Sequence, residues 1–144
     1  MEAVKAAEAE KEVKSDHYFE AVGKRKTSVG RVRLFTQGEK EIIVNEKPLD
    51  KYFCSFELRQ IVISPLEKMK AIGHFRILVK VRGGGIHSQA EAIRHGISRG
   101  LVKFNPDFRK RLRRAGYITR DPRARERKKF GLKRARKGPQ WSKR

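Results

Sequence analysis

The chain is 144 residues long and carries 37 Lys or Arg against 16 Asp or Glu, a formal net charge of +21. Two polar ends leave about a hundred residues able to fold, enough for one modest core. The single cysteine, Cys54, excludes an internal disulfide framework, and no apolar run approaches the roughly 20 residues of a membrane span.

Residues 1–17 read as a flexible extension, rich in Ala, Glu and Lys and too short to hold a helix alone in water. They contain no apolar signal-peptide core, and Glu2, Glu8, Glu10 and Glu12 argue against an organellar transit peptide, so the expected setting is the cytoplasm. A globular domain is expected over residues 18–116. In it, the strand Tyr18–Gly23 leads through the basic turn Lys24-Arg25-Lys26-Thr27 into Val29–Phe35, where Val32 and Leu34 alternate with Arg31 and Arg33. Gly38 marks a turn before a third strand, Glu41–Asn45, and the three strands suggest an antiparallel meander. Pro48 opens a helical stretch. Phe56–Ile63 forms a helix that Pro65 should stop or restart, which makes Leu66–Ile72 a second short piece. Phe75–Val81 is the clearest strand, with Phe75, Ile77, Val79 and Val81 on the core face and Arg76, Lys80 and Arg82 among the other residues.

Three glycines, Gly83 to Gly85, then precede the strongest helical pattern, in which Ile86, Ala90, Ile93, Ile97 and Leu101 form one apolar stripe. Ser88 and Glu91 fit a capping box. Asn105-Pro106 starts a last short helix through about Arg114, and Gly116 ends it. Alternating strands and helices around one core indicate a two-layer α/β sandwich.

Residues 117–144 form an extended basic tail. From Arg109 to Arg144 there are 17 Lys or Arg against two acids, Asp121 and Glu126. So few apolar residues cannot offset the ordering entropy, and the tail is expected to stay disordered until a polyanion neutralises it. The charge is also lopsided: −2 over residues 1–16, +8 over 17–108 and +15 over 109–144. Such asymmetry points to a compact nucleic-acid-binding domain with an appended basic arm. A membrane-binding arm calls for an amphipathic helix with a bulky apolar face or a lipid anchor, and the tail has neither.

Other chemistry finds little support. The glycine turn before a helix either cradles a phosphate or permits a tight strand-to-helix junction, and it matches no dinucleotide or phosphate-loop pattern. His17, His74, His87 and His95 lack metal-ligand spacing, Cys54 reads as a small buried hydrophobe, and the carboxylates are interleaved with cations. No catalytic residue, metal, cofactor or small-molecule substrate is expected. Phe130 and Trp141 either stack on bases or anchor against a neighbouring protein. A basic protein that coats duplex DNA shares this composition, and an enzyme holding a nucleotide at the glycine turn is the remotest alternative.

The run from Gly83 through His87, Ser88, Gln89 and His95 to Leu101 resembles the signature of the small-subunit ribosomal protein S-nine family. Matching blocks flank it in order: Gly23-Lys24-Arg25-Lys26-Thr27, Arg113-Arg114-Ala115-Gly116, Arg120-Asp121-Pro122-Arg123, Glu126-Arg127-Lys128-Lys129, Lys133-Arg134-Ala135-Arg136-Lys137 and Pro139-Gln140-Trp141-Ser142-Lys143-Arg144. The similarity covers residues 18–144 and fits the bacterial type of tail in this universal family. Small departures are Ser88 where glycine is frequent, Gly30 and Gly100 where alanine is common, and Trp141 where phenylalanine is usual.

The resemblance implies a mixed four-stranded sheet backed by helices, with a left-handed β-α-β crossover, in a structural protein of the small-subunit head. It implies binding to the 3′ major domain of the ribosomal RNA beside neighbouring ribosomal proteins. Lys24, Arg25, Lys26, Arg31 and Arg33 are then expected at RNA phosphates on one end or face of the sheet. Gly83, Gly84 and Gly85 with Arg94 and Arg99 form a second candidate patch. Arg111, Arg113, Arg114, Arg120, Arg123, Arg125, Arg127, Lys128, Lys129, Lys133, Arg134, Arg136 and Lys137 belong to a threading arm. Its tip, Ser142, Lys143 and Arg144, is expected at the transfer RNA of the peptidyl site.

Overall fold

A computed structural model describes residues 17–143; residues 1–16 of the expected extension over 1–17, and Arg144 of the expected tip, lie outside them. The sheet contains β1 (Tyr18–Arg25), β2 (Ser28–Phe35), β3 (Ile42–Val44), β4 (Lys47–Pro48) and β5 (Arg76–Arg82), in the order β1-β2-β5-β3-β4. The helices are α1 (Leu49–Tyr52), α2 (Phe56–Lys68), α3 (Ile86–Phe104) and α4 (Phe108–Arg114).

The expected meander is corrected. Of the three expected strands only β1 and β2 pair with each other, as a hairpin, while β3 runs parallel to β5 and β2 pairs antiparallel with β5. The physical reason is that the all-apolar β5 face has the most surface to bury and takes the central position, separating β2 from β3. The sheet is mixed, as expected, and a two-residue β4 adds a fifth strand to the expected four.

Strand alternation sends one set of residues inward. Val32, Leu34, Val44, Ile77, Val79 and Val81 pack with Phe53, Val62, Leu66, Ile93, Ile97, Leu101 and Leu112 in a single core between sheet and helices. Pro65 does not break α2, which runs through it to Lys68. The carbonyl of Ile61, left without its amide partner by the proline ring, accepts the Ser64 hydroxyl at 2.8 Å. Ile86 falls outside the buried stripe, being 59% exposed in the first turn of α3. The capping call also shifts register: Gly85 is the N-cap residue, its N–H donates to Ser88 Oγ at 3.1 Å, and Glu91 faces Arg25 instead. Cys54 is exposed because it sits between α1 and α2, where Phe53 takes the buried position.

Helix α3 lies almost directly on the hairpin. A Cβ built on Gly23 would stand 1.9 Å from the Ala92 carbonyl oxygen, and one on Gly96 would stand 2.6 Å from Val32 Cγ2. Gly100, which lowers the helix propensity of its turn, makes room for a side chain, since Leu34 Cδ1 would lie 2.6 Å from a Cβ there. Gly30 differs, since its nearest neighbours would be at 3.7 Å, an ordinary contact. Gly23→Ala is therefore expected to destabilise the domain by about 3 kcal/mol or more, against a near-neutral Gly30→Ala. Urea midpoints of the two variants check this ordering, and equal midpoints would contradict the close approach.

Candidate nucleic-acid interface

The close approach of α3 brings its polar side chains over the outer edge of β1. His95, Arg99 and Lys103, at four-residue spacing, meet in turn the Lys24 N–H, the Val22 carbonyl and the Glu20 carbonyl. The predicted patch cation Arg99 is thus engaged on an edge-strand carbonyl. Arg94 lies over the Tyr117 ring, 5.4 Å from its centroid. The glycine junction is also occupied internally. Gly83 and Gly84 adopt φ of +77° and +65°, and the Gly83 carbonyl accepts the Ser28 hydroxyl at 2.9 Å and the Gln89 amide at 3.1 Å. Arg94 and Arg99 leave α3 toward β1 and Tyr117, and the structure does not bring them together with the glycines.

Arg25 is largely internal, with its side chain 11% exposed. Its guanidinium donates to Glu91 Oε2 at 2.7 Å and to the Arg123 carbonyl at 2.8 Å, and its third nitrogen lies 3.0 Å from Asp121 Oδ2. Arg123 in turn chelates Asp121 through Nε and Nη2 at 2.9 and 2.7 Å. The Arg123 hydrogen bonds hold the Asp121 carboxyl well below the usual carboxylate range.

Most of the remaining predicted cations are exposed. Lys24 and Lys26 are exposed at the β1–β2 turn, where Lys26 takes a positive φ of 50°. Arg31 and Arg33 stand on the sheet face away from the helices and share Glu20, at 3.4 and 2.9 Å. Register sets Arg31 opposite Lys80, Val29 opposite Arg82 and Phe35 opposite Arg76. Of these, Arg31, Arg33 and Lys80 line an open hollow of about 440 Å³ together with Ile43 and Leu78. Arg76, Lys80 and Arg82 were absent from the expected RNA set, yet the alternation in Phe75–Val81 already assigned the residues between the apolar ones to the opposite face.

Helix α4 buries only Leu112 and exposes Arg109, Lys110, Arg111, Arg113 and Arg114 around it. Beyond Gly116 the described tail holds no helix or strand. Arg120, Arg125, Arg127, Lys128, Lys133, Arg134, Arg136 and Lys137 are exposed, while Glu126 pairs with both Lys129 and Arg136. A local turn closes where the Lys133 N–H donates to the Lys137 carbonyl at 2.8 Å. Phe130 and Trp141 project without a core, and Ser142 and Lys143 are exposed at the end.

His95 bridges β1 and the tail. Its Nδ1 accepts the Lys24 N–H at 3.3 Å, so Nε2 carries the proton and faces the Ile118 carbonyl at 3.1 Å. Burial first, and then the Arg99 guanidinium, hold its pKa below the ordinary 6.5. The unfolded chain therefore binds more protons, and the His95 contribution is intact above pH 6.5 and lost as pH falls toward the folded value. Between about pH 7 and 5, urea midpoints should fall more steeply for the native chain than for His95→Gln. Parallel curves would show that the imidazole titrates without regard to folding.

A family profile described as ribosomal protein S9/S16 matches residues 23–144, which takes in the β1–β2 turn, the glycine junction, α3 and the whole basic tail. The chain belongs to the ribosomal protein S9/S16 family.

Proposed function

We propose that this protein, a structural ribosomal protein of the small subunit and not an enzyme, binds the 3′ major domain of the ribosomal RNA in the subunit head and extends its tail to the peptidyl-site transfer RNA. The observation that carries the reading is the division between a folded domain over residues 18–116 and a cation-rich tail from residue 117 whose described residues, 117–143, hold no helix or strand. A segment of that kind gains order from phosphates and not from a core. Lys24, Lys26, Arg31 and Arg33, joined by Lys80 and Arg82, anchor the domain on RNA, with neighbouring ribosomal proteins alongside. The exposed cations of α4 and residues 120–137 thread between RNA segments. We also read the crossover from β3 to β5 as left-handed, the family exception to the usual sense.

Reach supports the assignment of the tip. The 21 residues from 124 to 144 span roughly 70 Å when extended. A domain of about a hundred residues has a radius of gyration of only about 13 Å. An anchored domain can therefore act at a distance through Ser142, Lys143 and Arg144.

Two measurements test the reading. Replacing Arg125, Arg127, Lys128, Lys133 and Arg134 by Gln should flatten the slope of log affinity for small-subunit ribosomal RNA against log salt by about 3 to 5. An unchanged slope would remove the arm from the phosphates. Deleting Lys143 and Arg144 should leave subunit assembly intact and speed dissociation of peptidyl-site transfer RNA, each lost contact contributing roughly 0.5 to 3 kcal/mol. Filter binding on subunits carrying the full or shortened chain reads this, and equal dissociation rates would sink the tip assignment.

A further inference from the structure

We propose that the root of the tail, from Tyr117 to Arg123, is latched to the domain before any RNA arrives, with Arg25 as the positioning residue that holds it rather than a phosphate-binding cation. Each of the three guanidinium nitrogens of Arg25 already has an acceptor: Glu91 of α3 at 2.7 Å, Asp121 at 3.0 Å and the Arg123 carbonyl at 2.8 Å. One residue at the end of β1 thereby ties a helix to the tail. A phosphate could reach this guanidinium only by displacing carboxylates that neutralise it in a site 11% exposed on the arginine side.

Three further ties lie along the same seven residues. The Tyr117 N–H donates to the Leu112 carbonyl at 3.0 Å, and Arg94 covers the Tyr117 ring. The Ile118 carbonyl meets His95 at 3.1 Å. Asp121 is held from the other side as well, since it accepts the Arg123 backbone N–H at 2.9 Å while the Arg123 side chain chelates it. Pro122, between these two, fixes its own φ. The cluster of Arg25, Arg123, Glu91 and Asp121 balances two positive charges with two negative ones, so it draws no net attraction from a polyanion. Its use is directional. The free tail starts only after Arg123, at a fixed place beside the exposed Lys24, and less chain remains to be ordered when RNA binds.

The first experiment needs no RNA and so stands apart from the proposed function. Nitrogen-15 relaxation on the free full-length chain should give Ile118 to Arg123 order parameters near those of the domain, about 0.8, against values below about 0.6 beyond Arg125. Asp121→Asn, a change in the tail that leaves the core untouched, should lower the values of Thr119 to Arg123 toward those of the distal tail. A native chain in which Thr119 to Arg123 are as mobile as the residues after Arg125 overturns the latch. The second experiment rests on the ribosomal RNA reading. Arg25→Gln and Asp121→Asn should each weaken binding to small-subunit ribosomal RNA by a similar factor of about 3 to 10, with the double variant no weaker than either. The salt slope of Arg25→Gln should match that of the native chain, whereas a fall of about 0.7 to 0.9 would place Arg25 on a phosphate and overturn its assignment. Absence of RNA binding by the native chain would overturn the proposed function, and the relaxation result would then decide the latch.

Discussion

The contact between α3 and the β1–β2 hairpin is the constraint on which the remaining features depend. Its closest part is a backbone-to-backbone contact, permitted because Gly23 presents no side chain where one would strike the Ala92 carbonyl, while Gly96 and Gly100 make room for the Val32 and Leu34 side chains. At that separation the short reach from α3 to β1 lets His95, Arg99 and Lys103 reach the Lys24 amide and the Val22 and Glu20 carbonyls of the edge strand. The same proximity places Glu91 against Arg25 and His95 against Ile118. Helix packing, edge satisfaction and the position of the tail root are thus consequences of the same missing Cβ atoms.

The cations fall into two populations that composition alone merges. Arg25, Arg99 and Lys103 bond within the chain, and Arg94 lies against an aromatic ring. Arg31, Lys80, the α4 arginines and most of the tail face outward. The first set builds the platform, and the second supplies the field that attracts a polyanion. Glu20, shared by Arg31 and Arg33, keeps two guanidiniums side by side on the sheet face.

Much of this was legible in the sequence where periodicity and local chemistry decide the outcome. Alternation in Phe75–Val81 gave both the core face and the opposite one, the apolar stripe from Ala90 to Leu101 gave α3, and the tail's charge ratio gave its lack of a core. Pairing partners were not legible, because nothing in Glu41–Asn45 says whether β2 or β5 lies beside it. Pro65 misled because the compensation comes from Ser64, a hydroxyl that a propensity argument does not aim at Ile61. Arg25 and Arg99 read as free cations since their acceptors are Glu91, Asp121 and a strand carbonyl far away in sequence. The family match supplies the ribosomal setting, which no periodicity could.

The two ends of the sheet bear on how such a chain survives between synthesis and assembly. An open strand edge templates intermolecular pairing, and a protein of +21 charge released among other unassembled chains cannot rely on RNA to cover one. At one end, three α3 side chains occupy the Lys24 N–H and the Val22 and Glu20 carbonyls of β1. At the other, β4 is two residues long and includes Pro48, whose nitrogen has no hydrogen to offer. Both margins are therefore partly occupied or cut short by the chain's own residues, which leaves fewer free backbone groups to template strand pairing while the cationic faces stay exposed.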